Sequence, residues 1–600
     1  MRSRLGKLVS EGPGWMKCWK YELEEVSLSA LLGLLKNSYV DARAVIRRDP
    51  HVALLAQILN DTPVYRAICS VLLEDVNIQD QTTRTSRRTS APALPAIELL
   101  SIAISRYASL KASIRSTDSD VMLAPLHTLL LSPLQPSGLN VLDILLLYIE
   151  EADDLPGHAL YAARILRELC AVRPSLQSRM VELLRARRMV SRNSRGIRNV
   201  LNPAVVRYTV QDMVALELNE SDPIRLRGEA ALVVLETLSD SIETDPTGNN
   251  LCFLLFGFKT SVDESGQLYD IDAPPTGFHQ VLSILEQFIA APDPFQLQFS
   301  ALIEPAFRLV QRLVSMDCIY SPSVLRFIRS MNLVQQLVTS PFLSTPLSQS
   351  PSDGPTLLSV TRMISGSILH LAALEVSSLL KSGHFNQPHE IYSTLLEPSD
   401  AVINQEGTVE GGVNNLLFSL LRHSHIELTE EIDYPRLVHF NAHKLHAVFD
   451  TCKTTTVFNI AQYDIEYLHA LLTREIVSTQ AEDTAAANRE MEAVLTYGTD
   501  INAQLLLRGA SEQLVSGCTA LLNVMALFAP VPFFSIAIQL DVLTDAAFLL
   551  VEYVSGCGAD EQVAVCGTLL RLCKTICVLA KQEYSEFFRI TFIRALTARQ

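Results

Sequence analysis

Five histidines and one cysteine gather in one region, and these are the residues whose types best suit metal chemistry: His423, His425, His439, His443, His446 and Cys452. His439, His443 and His446 would share one face of a helix, as zinc ligands do. However, Pro435 precedes them and Asn441 has the character of a helix N-cap, which leaves His439 outside the helix. No carboxylate stands where an H-E-x-x-H motif needs its base. We interpret these histidines as solvated or packing residues and expect no metal and no cofactor.

A second candidate is a set of cysteines near the carboxyl end. Cys566, Cys573 and Cys577 stand at i, i+7 and i+11, on one face of a predicted helix. A reactive thiol needs an electropositive and partly open site, whereas the neighbours here are apolar apart from Arg571 and Lys574. We therefore expect these cysteines to pack in the core. The odd total of 11 cysteines, with no CxxC pair and no secretory leader, indicates a reducing compartment.

Two basic segments stand out against an acidic chain. The first runs from 179 to 198 and includes Arg185, Arg187, Arg188, Arg192 and Arg195. It lacks the interleaved aromatic residues of a single-strand reader, so we interpret it as a solvated helix face that runs into a loop. The second, Arg87-Arg88-Thr89-Ser90, has the pattern of a basophilic kinase target. Phosphorylation of Ser90 would add a charge of roughly −2 to a basic loop.

The bulk composition excludes several functions. The chain has 600 residues, of which 48% are hydrophobic and 19% charged, so most of it has the composition of a packed protein. Its net charge of −16 repels phosphate backbones, and direct nucleic-acid binding is not expected. The sequence contains no P-loop, dinucleotide-binding or nucleophile-elbow motif. No enzyme and no small-molecule substrate are predicted.

One apolar window, residues 518–540, has the length of a membrane span. Pro530 and Pro532 interrupt the hydrogen bonding that a spanning helix needs, and Asn523 and Gln539 would be costly in lipid. We expect two core helices joined by a proline turn, and no membrane insertion.

These side chains must be positioned by helices, because apolar residues recur at helical spacing through most of the chain. Ile465, Leu468 and Leu472 share one face behind Asp464, and Asp222 precedes a proline as a helix N-cap does. No alternating strand and no hairpin signal is found.

Two segments, 141–149 and 543–554, are apolar on several faces, which indicates helices sandwiched between neighbours on both sides. Stacked helical hairpins produce that arrangement. The predicted fold is all-α, an irregular and superhelical α-solenoid of HEAT-like or armadillo-like hairpins.

Composition shifts predict how the chain is organised. The expected order is a helical segment with a ragged amino-terminal edge over 1–78, a basic polar loop over 79–96, an α-solenoid over 97–339, a Ser/Pro-rich loop over 340–356, solenoid helices over 357–397, an acidic and glycine-containing loop over 398–414, and a solenoid over 415–600 that continues past the chain end.

Five segments carry a recognisable order of helices and corners. They are Asn250 to Phe258 (N-L-C-F-L-L-F-G-F), Phe278 to Leu285, Pro322 to Leu337 with Arg326 and Arg329, Thr361 to Leu396 with Glu375, and Phe440 to Glu475 with Leu445, Val448, Cys452, Tyr463, Asp464, Ile465, Leu468, His469, Leu471 and Leu472. In this order, over about residues 245 to 530, they resemble the large inner-ring scaffold nucleoporins of the nuclear pore complex. That family includes nucleoporin 205 and fungal nucleoporin 192.

The resemblance implies a structural scaffold of the inner ring, whose helical superhelix holds linker nucleoporins through short helices in its grooves. It also implies a role in transport and pore assembly, other nucleoporins as partners, and a location in the nuclear envelope. The chain would be the middle portion of a longer protein, and no partner-contact residue is transferred. Phe256-Gly257 is the one Phe-Gly dipeptide in the sequence and lies at an apolar corner, which excludes an unstructured Phe-Gly nucleoporin.

A second interpretation shares the fold and the acidic charge. A HEAT-type or armadillo-type nuclear transport receptor, or another helical-repeat adaptor, would bind the small GTPase that drives nuclear transport or a cargo peptide. The sequence leaves this alternative open.

Overall fold

The fold is described from a computed structural model of the chain. It covers residues 14–597 apart from the stretches 37–49, 82–91, 117–122, 136, 173, 187–195, 203–208, 210–221, 247–249, 259–275, 291–300, 316, 345–354, 397–414, 425–434, 436, 438–439, 441, 456–459, 480–483, 533 and 556–558. The described residues form helices and short connections, together with one two-stranded sheet.

The chain divides into two compact units. Unit 1 comprises Met1–Gln287 and Gln296–Tyr320. Its helices are α1 (Gly14–Lys36), α2 (Pro50–Ile58), α3 (Pro63–Gln81), α4 (Ala93–Ser105), α5 (Tyr107–Ser116), α6 (Leu126–Leu131), α7 (Val141–Glu150), α8 (Pro156–Val172), α9 (Pro174–Ala186), α10 (Pro223–Thr244), α11 (Leu251–Phe256), α12 (Gly277–Ala290, whose last residues belong to unit 2) and α13 (Ile303–Val314).

Unit 2 comprises Phe288–Phe295 and Ser321–Gln600. Its elements are α14 (Ser321–Ser330), α15 (Leu333–Val338), α16 (Pro341–Ser344), α17 (Pro355–Lys381), α18 (Asn386–Leu396), α19 (Leu416–His423), α20 (Ala442–Thr451), β1 (Lys453–Thr455), β2 (Ala461–Tyr463), α21 (Ile465–Thr479), α22 (Thr484–Leu527), α23 (Ile536–Ser555) and α24 (Ala559–Thr597).

Short polar side chains set the starts of several helices. Asn140 accepts a hydrogen bond from the backbone N–H of Asp143 (2.8 Å), whose carboxylate accepts in return from the N–H of Asn140 (2.9 Å). Asp222 caps α10, as the sequence predicted, while Asp464 caps α21 and Asn250 caps α11. These caps satisfy backbone donors at the helix ends that have no partner within the helix, and the ends at Asn140 and Asn250 are buried.

Helix α7 is buried on all sides, which confirms the prediction for residues 141–149. It packs against α3, α6 and α8, and α8 in turn packs against α10. A helix that is apolar all round needs this arrangement, because no face of it is left for water.

The fold is all-α and is consistent with the predicted α-solenoid. In the described residues the two most extensive helix contacts, α17 with α22 and α8 with α10, join helices that have other helices between them in the sequence. Helix lengths range from 4 to 44 residues, so the repeat is irregular and the lengths do not separate the HEAT type from the armadillo type.

The prediction of no strands was wrong at one place. β1 and β2 pair antiparallel, with Lys453 opposite Tyr463. Asn502 of α22 fixes this ribbon, because its side-chain amide donates to the carbonyl of Tyr463 (2.8 Å) and accepts from the N–H of the same residue (2.7 Å). Strands of three residues are too short to show alternation, and their anchor is 39 residues away in the chain.

Helices extend into two of the predicted loops and into the predicted amino-terminal edge. α3 continues to Gln81 and α4 begins at Ala93, so helices enter the loop predicted over 79–96 from both ends. α16 occupies part of the loop predicted over 340–356, and α17 begins at Pro355 inside it. α1 begins at Gly14, within the amino-terminal edge predicted to be ragged. The loop predicted over 398–414 lies outside the described residues.

The apolar window 518–540 forms two helices joined by a proline turn, as predicted: α22 ends at Leu527 and α23 begins at Ile536. The amide of Gln539 closes the turn, donating to the carbonyls of Val531 (3.1 Å) and Phe534 (2.9 Å). Among the described residues, the helix Leu358–Lys381 is long and apolar enough to span a membrane. However, 78% of its apolar window is buried inside the protein, as in a core helix.

Candidate functional site

The described members of the histidine region do not converge. His446 is exposed, whereas Cys452 is buried in a core cluster with Phe440, Leu445 and Phe449. The side chains of His423 and His443, and all of His425 and His439, lie outside the described residues. Among the side chains that the structure places, no group of three or more His, Cys, Asp or Glu residues could hold a metal ion.

The prediction that Cys566, Cys573 and Cys577 pack in the core was wrong, because all three thiols are exposed. The buried positions of α24 lie on its opposite face, at Val565, Thr568, Leu572 and Leu579. The prediction that residues 543–554 form a helix covered on both sides was also wrong. Phe548 and Val551 of α23 are 68% and 56% exposed, so only one side of that helix is covered.

Buried thiols elsewhere are poor nucleophiles. Burial raises the pKa of Cys69 to about 11, that of Cys170 to about 12 and that of Cys452 to about 11. At neutral pH each is a protonated thiol enclosed by apolar neighbours, so these residues act as small hydrophobic groups.

The basic run is only partly described. Arg179 is exposed, as expected of a solvated helix face, whereas Arg185 is half-buried. Its positive charge opposes the burial-driven rise in the pKa of Tyr320, so Arg185 faces its own unit. Residues 187–195 and the candidate phosphorylation site Ser90 lie outside the described residues.

Unit 1 contains a buried polar cluster that the sequence did not reveal. The hydroxyl of Tyr148 donates to a carboxylate oxygen of Asp75 (3.0 Å), and the ring of His158 lies 5.0 Å from that of Tyr148. Burial lowers the pKa of His158 to about 4. All three side chains are buried, so the cluster is closed to a substrate and is part of the core.

The Gly-Phe corner at the end of α11 is a packing turn, as predicted. Gly257 has φ +70° and ends the helix, while the N–H of Phe258 donates to the carbonyl of Phe253 (3.0 Å). The ring of Phe258 then lies 5.7 Å from that of Phe278 and 5.2 Å from that of Tyr320. The corner thus serves an aromatic core, not a ligand.

Gly257→Ala should lower the free energy of unfolding by about 1 kcal/mol, because a Cβ is disfavoured at positive φ. Gly257→Asn should cost less, since asparagine tolerates this conformation. Urea denaturation followed by circular dichroism checks both. A Cβ here meets nothing closer than 3.8 Å, so equal losses for both variants would contradict a purely conformational cause.

One ion pair joins two of the five segments that carry the family resemblance. Arg329 of α14 donates to Glu375 of α17 through Nε (2.6 Å) and Nη2 (3.1 Å). The carboxylate side chain is 4% exposed. This two-pronged contact holds α14 on α17 with a fixed orientation.

The last of the five segments, Phe440 to Glu475, also contributes to a core. Phe440, Leu445, Cys452, Leu468 and Leu472 form one hydrophobic cluster between α20, α21 and α22. Their regular spacing in the sequence therefore reflects packing in the core.

Helices α17 and α22 make the most extensive helix contact in the described part of unit 2. A Cβ built on Gly366 would lie 2.5 Å from the carbonyl oxygen of Gln513, and one built on Gly517 would overlap the carbonyl oxygen of Gly366. Beside this crossing, Arg362 donates to the hydroxyl of Ser511 (2.7 Å). Two glycines thus allow the backbones to touch.

A charged cluster joins α8, α10 and α13 in unit 1. Arg167 pairs with Glu236, and Arg308 pairs with Glu304 (3.3 Å). Burial raises the pKa of Glu236 to about 7. The nearby charges of Asp240 and Glu304 add to this, and Arg167 and Arg308 oppose it.

This raised pKa predicts that the free energy of unfolding falls as pH rises. The folded state binds the proton of Glu236 more tightly than the unfolded state does. The resulting contribution to the free energy of unfolding is fully present below about pH 4.5 and is lost as pH rises through about 7, a change on the order of 3 kcal/mol. Glu236→Gln should flatten the dependence of the unfolding free energy on pH in this window. Parallel urea titrations at several pH values test it, and an unchanged slope in the variant would refute the assignment.

Every family-like segment therefore resolves into a cap, a corner, an ion pair or a core, and comparison with known proteins agrees with this structural reading. The family model Nup192, described as nuclear pore complex scaffold, nucleoporins 186/192/205, matches residues 24–531. The chain belongs to this family. No curated protein matches the chain significantly. The family is one of structural scaffolds, and its match begins well before the region 245–530 that carries the resemblance and ends together with it.

Proposed function

We propose that this protein is a scaffold component of the inner ring of the nuclear pore complex. In this role it holds linker nucleoporins and supports pore assembly and nucleocytoplasmic transport. The observation that carries the proposal is the family match over residues 24–531. Consistent with it, the family-like segments are used for packing and, through Arg329 and Glu375, for one ion pair between helices, as expected of a structural protein.

Stacked helices suit this function physically. Adjacent helices leave grooves into which a short amphipathic helix of a partner can lay its apolar face. We propose that linker nucleoporins bind in this way, with other inner-ring nucleoporins as the remaining partners. No catalytic step is part of the proposal.

Localisation and co-purification test the proposal. A fluorescently tagged protein expressed at its natural level should mark the nuclear rim, and its purification should recover inner-ring nucleoporins. A diffuse cytosolic signal, with no nucleoporin recovered, would refute it.

A pulldown separates the scaffold from the transport-receptor alternative. A receptor should bind the small GTPase of nuclear transport in its GTP-loaded form and release it in the GDP-loaded form. The scaffold should show no such preference.

A further inference from the structure

A small pocket lies between α14, α15, α17 and α18 in unit 2, and its polar lining includes Arg329, Gln335, Glu375 and Glu390. We call it the Gln335 pocket. Its interior volume is about 20 Å³, which admits one group the size of a water molecule. The open mouth brings the total empty space to about 310 Å³. This shape suits a slender side chain that ends in a compact group.

The charges that line the pocket do not cancel. Glu375 is neutralised by its two-pronged contact with Arg329. Glu390 is exposed, and its carboxylate makes no ion pair within the part of the chain that the structure describes. Asn332 and Gln387 complete the polar lining without charge. The pocket therefore carries one net negative charge and is complementary to a cation.

The pocket also contains a hydrogen-bond acceptor that is not used. The Oε1 atom of Gln335 is buried and has no hydrogen-bond partner among the described residues. A buried acceptor without a donor costs free energy, which a donor that enters the pocket would recover. The last side-chain torsion of glutamine is soft, so the carboxamide can turn its oxygen toward such a donor. The group that fits here is thus a cation that donates hydrogen bonds.

Apolar walls beside these polar groups define the rest of the ligand. Val334, Leu379 and Ile391 line the pocket and are buried in the surrounding core. Lysine matches this arrangement, because an apolar stem of four methylene groups carries a compact ammonium group with three donors and no acceptor. Arginine matches it less well, because its planar guanidinium group is wider than the water-sized interior.

We propose that the Gln335 pocket binds the side chain of a lysine that a partner protein presents. The ammonium group donates to Oε1 of Gln335 and pairs with the carboxylate of Glu390, while the methylene stem lies against Leu379 and Ile391. This site goes beyond the proposed scaffold function, because its chemistry does not depend on the complex in which the chain works. It is tested on the purified chain, so its failure is distinguishable from failure of the nuclear-rim localisation.

Nα-acetyl-lysine N-methylamide serves as the probe, because it presents the lysine side chain without charged backbone groups. Saturation-transfer NMR with the full chain should give signals at its side-chain methylene protons, and titration should give a dissociation constant on the order of 1 mM. The norleucine analogue keeps the stem and lacks the ammonium group, so it should give no signal. Equal binding of the two ligands would overturn the proposal.

Two variants locate the bound probe. Gln335→Met nearly keeps the side-chain volume and removes the acceptor, and it should weaken binding about tenfold. Glu390→Gln changes an exposed side chain, which leaves the fold intact, and it should weaken binding about two- to fivefold. Gln336→Met and Glu492→Gln are the matched controls, because both residues are exposed outside the pocket, and they should leave binding unchanged. Undiminished binding by the Glu390→Gln variant would overturn the assignment to this pocket.

Three further results would replace the lysine side chain as the occupant. Equal binding of the arginine analogue would show that the pocket does not select a compact ammonium group. Equal binding of methylammonium would show that the stem is not recognised, and would identify a free amine as the ligand. No binding of any of these amines would overturn the proposal and leave a water molecule as the occupant.

Discussion

Arg329→Met should lower the free energy of unfolding of unit 2 by about 3 kcal/mol, because it leaves the carboxylate of Glu375 buried without its arginine. The double variant Arg329→Met with Glu375→Leu should recover most of the loss, since it removes both charges together. Urea denaturation of the four members of this double-mutant cycle measures the coupling between the two side chains.

A matched control is available in unit 1. Arg66 makes the same two-pronged contact with Asp61, at 2.7 and 2.6 Å, but both side chains are exposed, at 68% and 63%. Arg66→Met should therefore have a much smaller effect, because water solvates the carboxylate that remains. Equal losses at the two sites would show that burial is not the cause.

Gly517→Ala should destabilise unit 2 by about 2–3 kcal/mol, although alanine is the better helix former. The added methyl group would overlap the carbonyl oxygen of Gly366 and lie 3.0 Å from its carbonyl carbon, so two helix backbones must separate. Separation would also strain the nearby bond from Arg362 to Ser511. The unfolding midpoint in urea and the protease sensitivity of α17 and α22 measure the effect.

The same substitution at an open glycine is the control. Gly567 lies in helix α24, and a Cβ there would meet nothing within 4 Å. Gly567→Ala should raise stability by about 0.5–1 kcal/mol, since it reduces the freedom of the unfolded chain. A gain at Gly517 as well would mean that α17 and α22 do not touch as described.

Local patterns were sufficient for much of the fold. The caps at Asp222 and Asp464 and the proline turn after α22 follow from residues within a few positions of one another. Such features depend on short-range hydrogen bonding, which the sequence displays directly. The ribbon held by Asn502 was missed because its partners are 39 residues apart.

The exposure of a helix face could not be predicted in the same way. Cys566 and Leu572 both lie in apolar surroundings in the sequence, yet the first is exposed and the second is buried. Periodicity identifies an apolar face, but whether another helix covers that face depends on packing across the unit. Which face of α24 is exposed is therefore decided by tertiary structure.

By itself, the sequence determined the all-α class, the order of helices and corners, and the family resemblance that the match to residues 24–531 now establishes. These follow from periodicity and short-range chemistry, which are written along the chain. Only the tertiary structure decided that Arg329 meets Glu375 and that Gly366 meets Gly517. Those contacts join residues far apart in sequence, and their energies depend on burial, which exists only once the helices have packed.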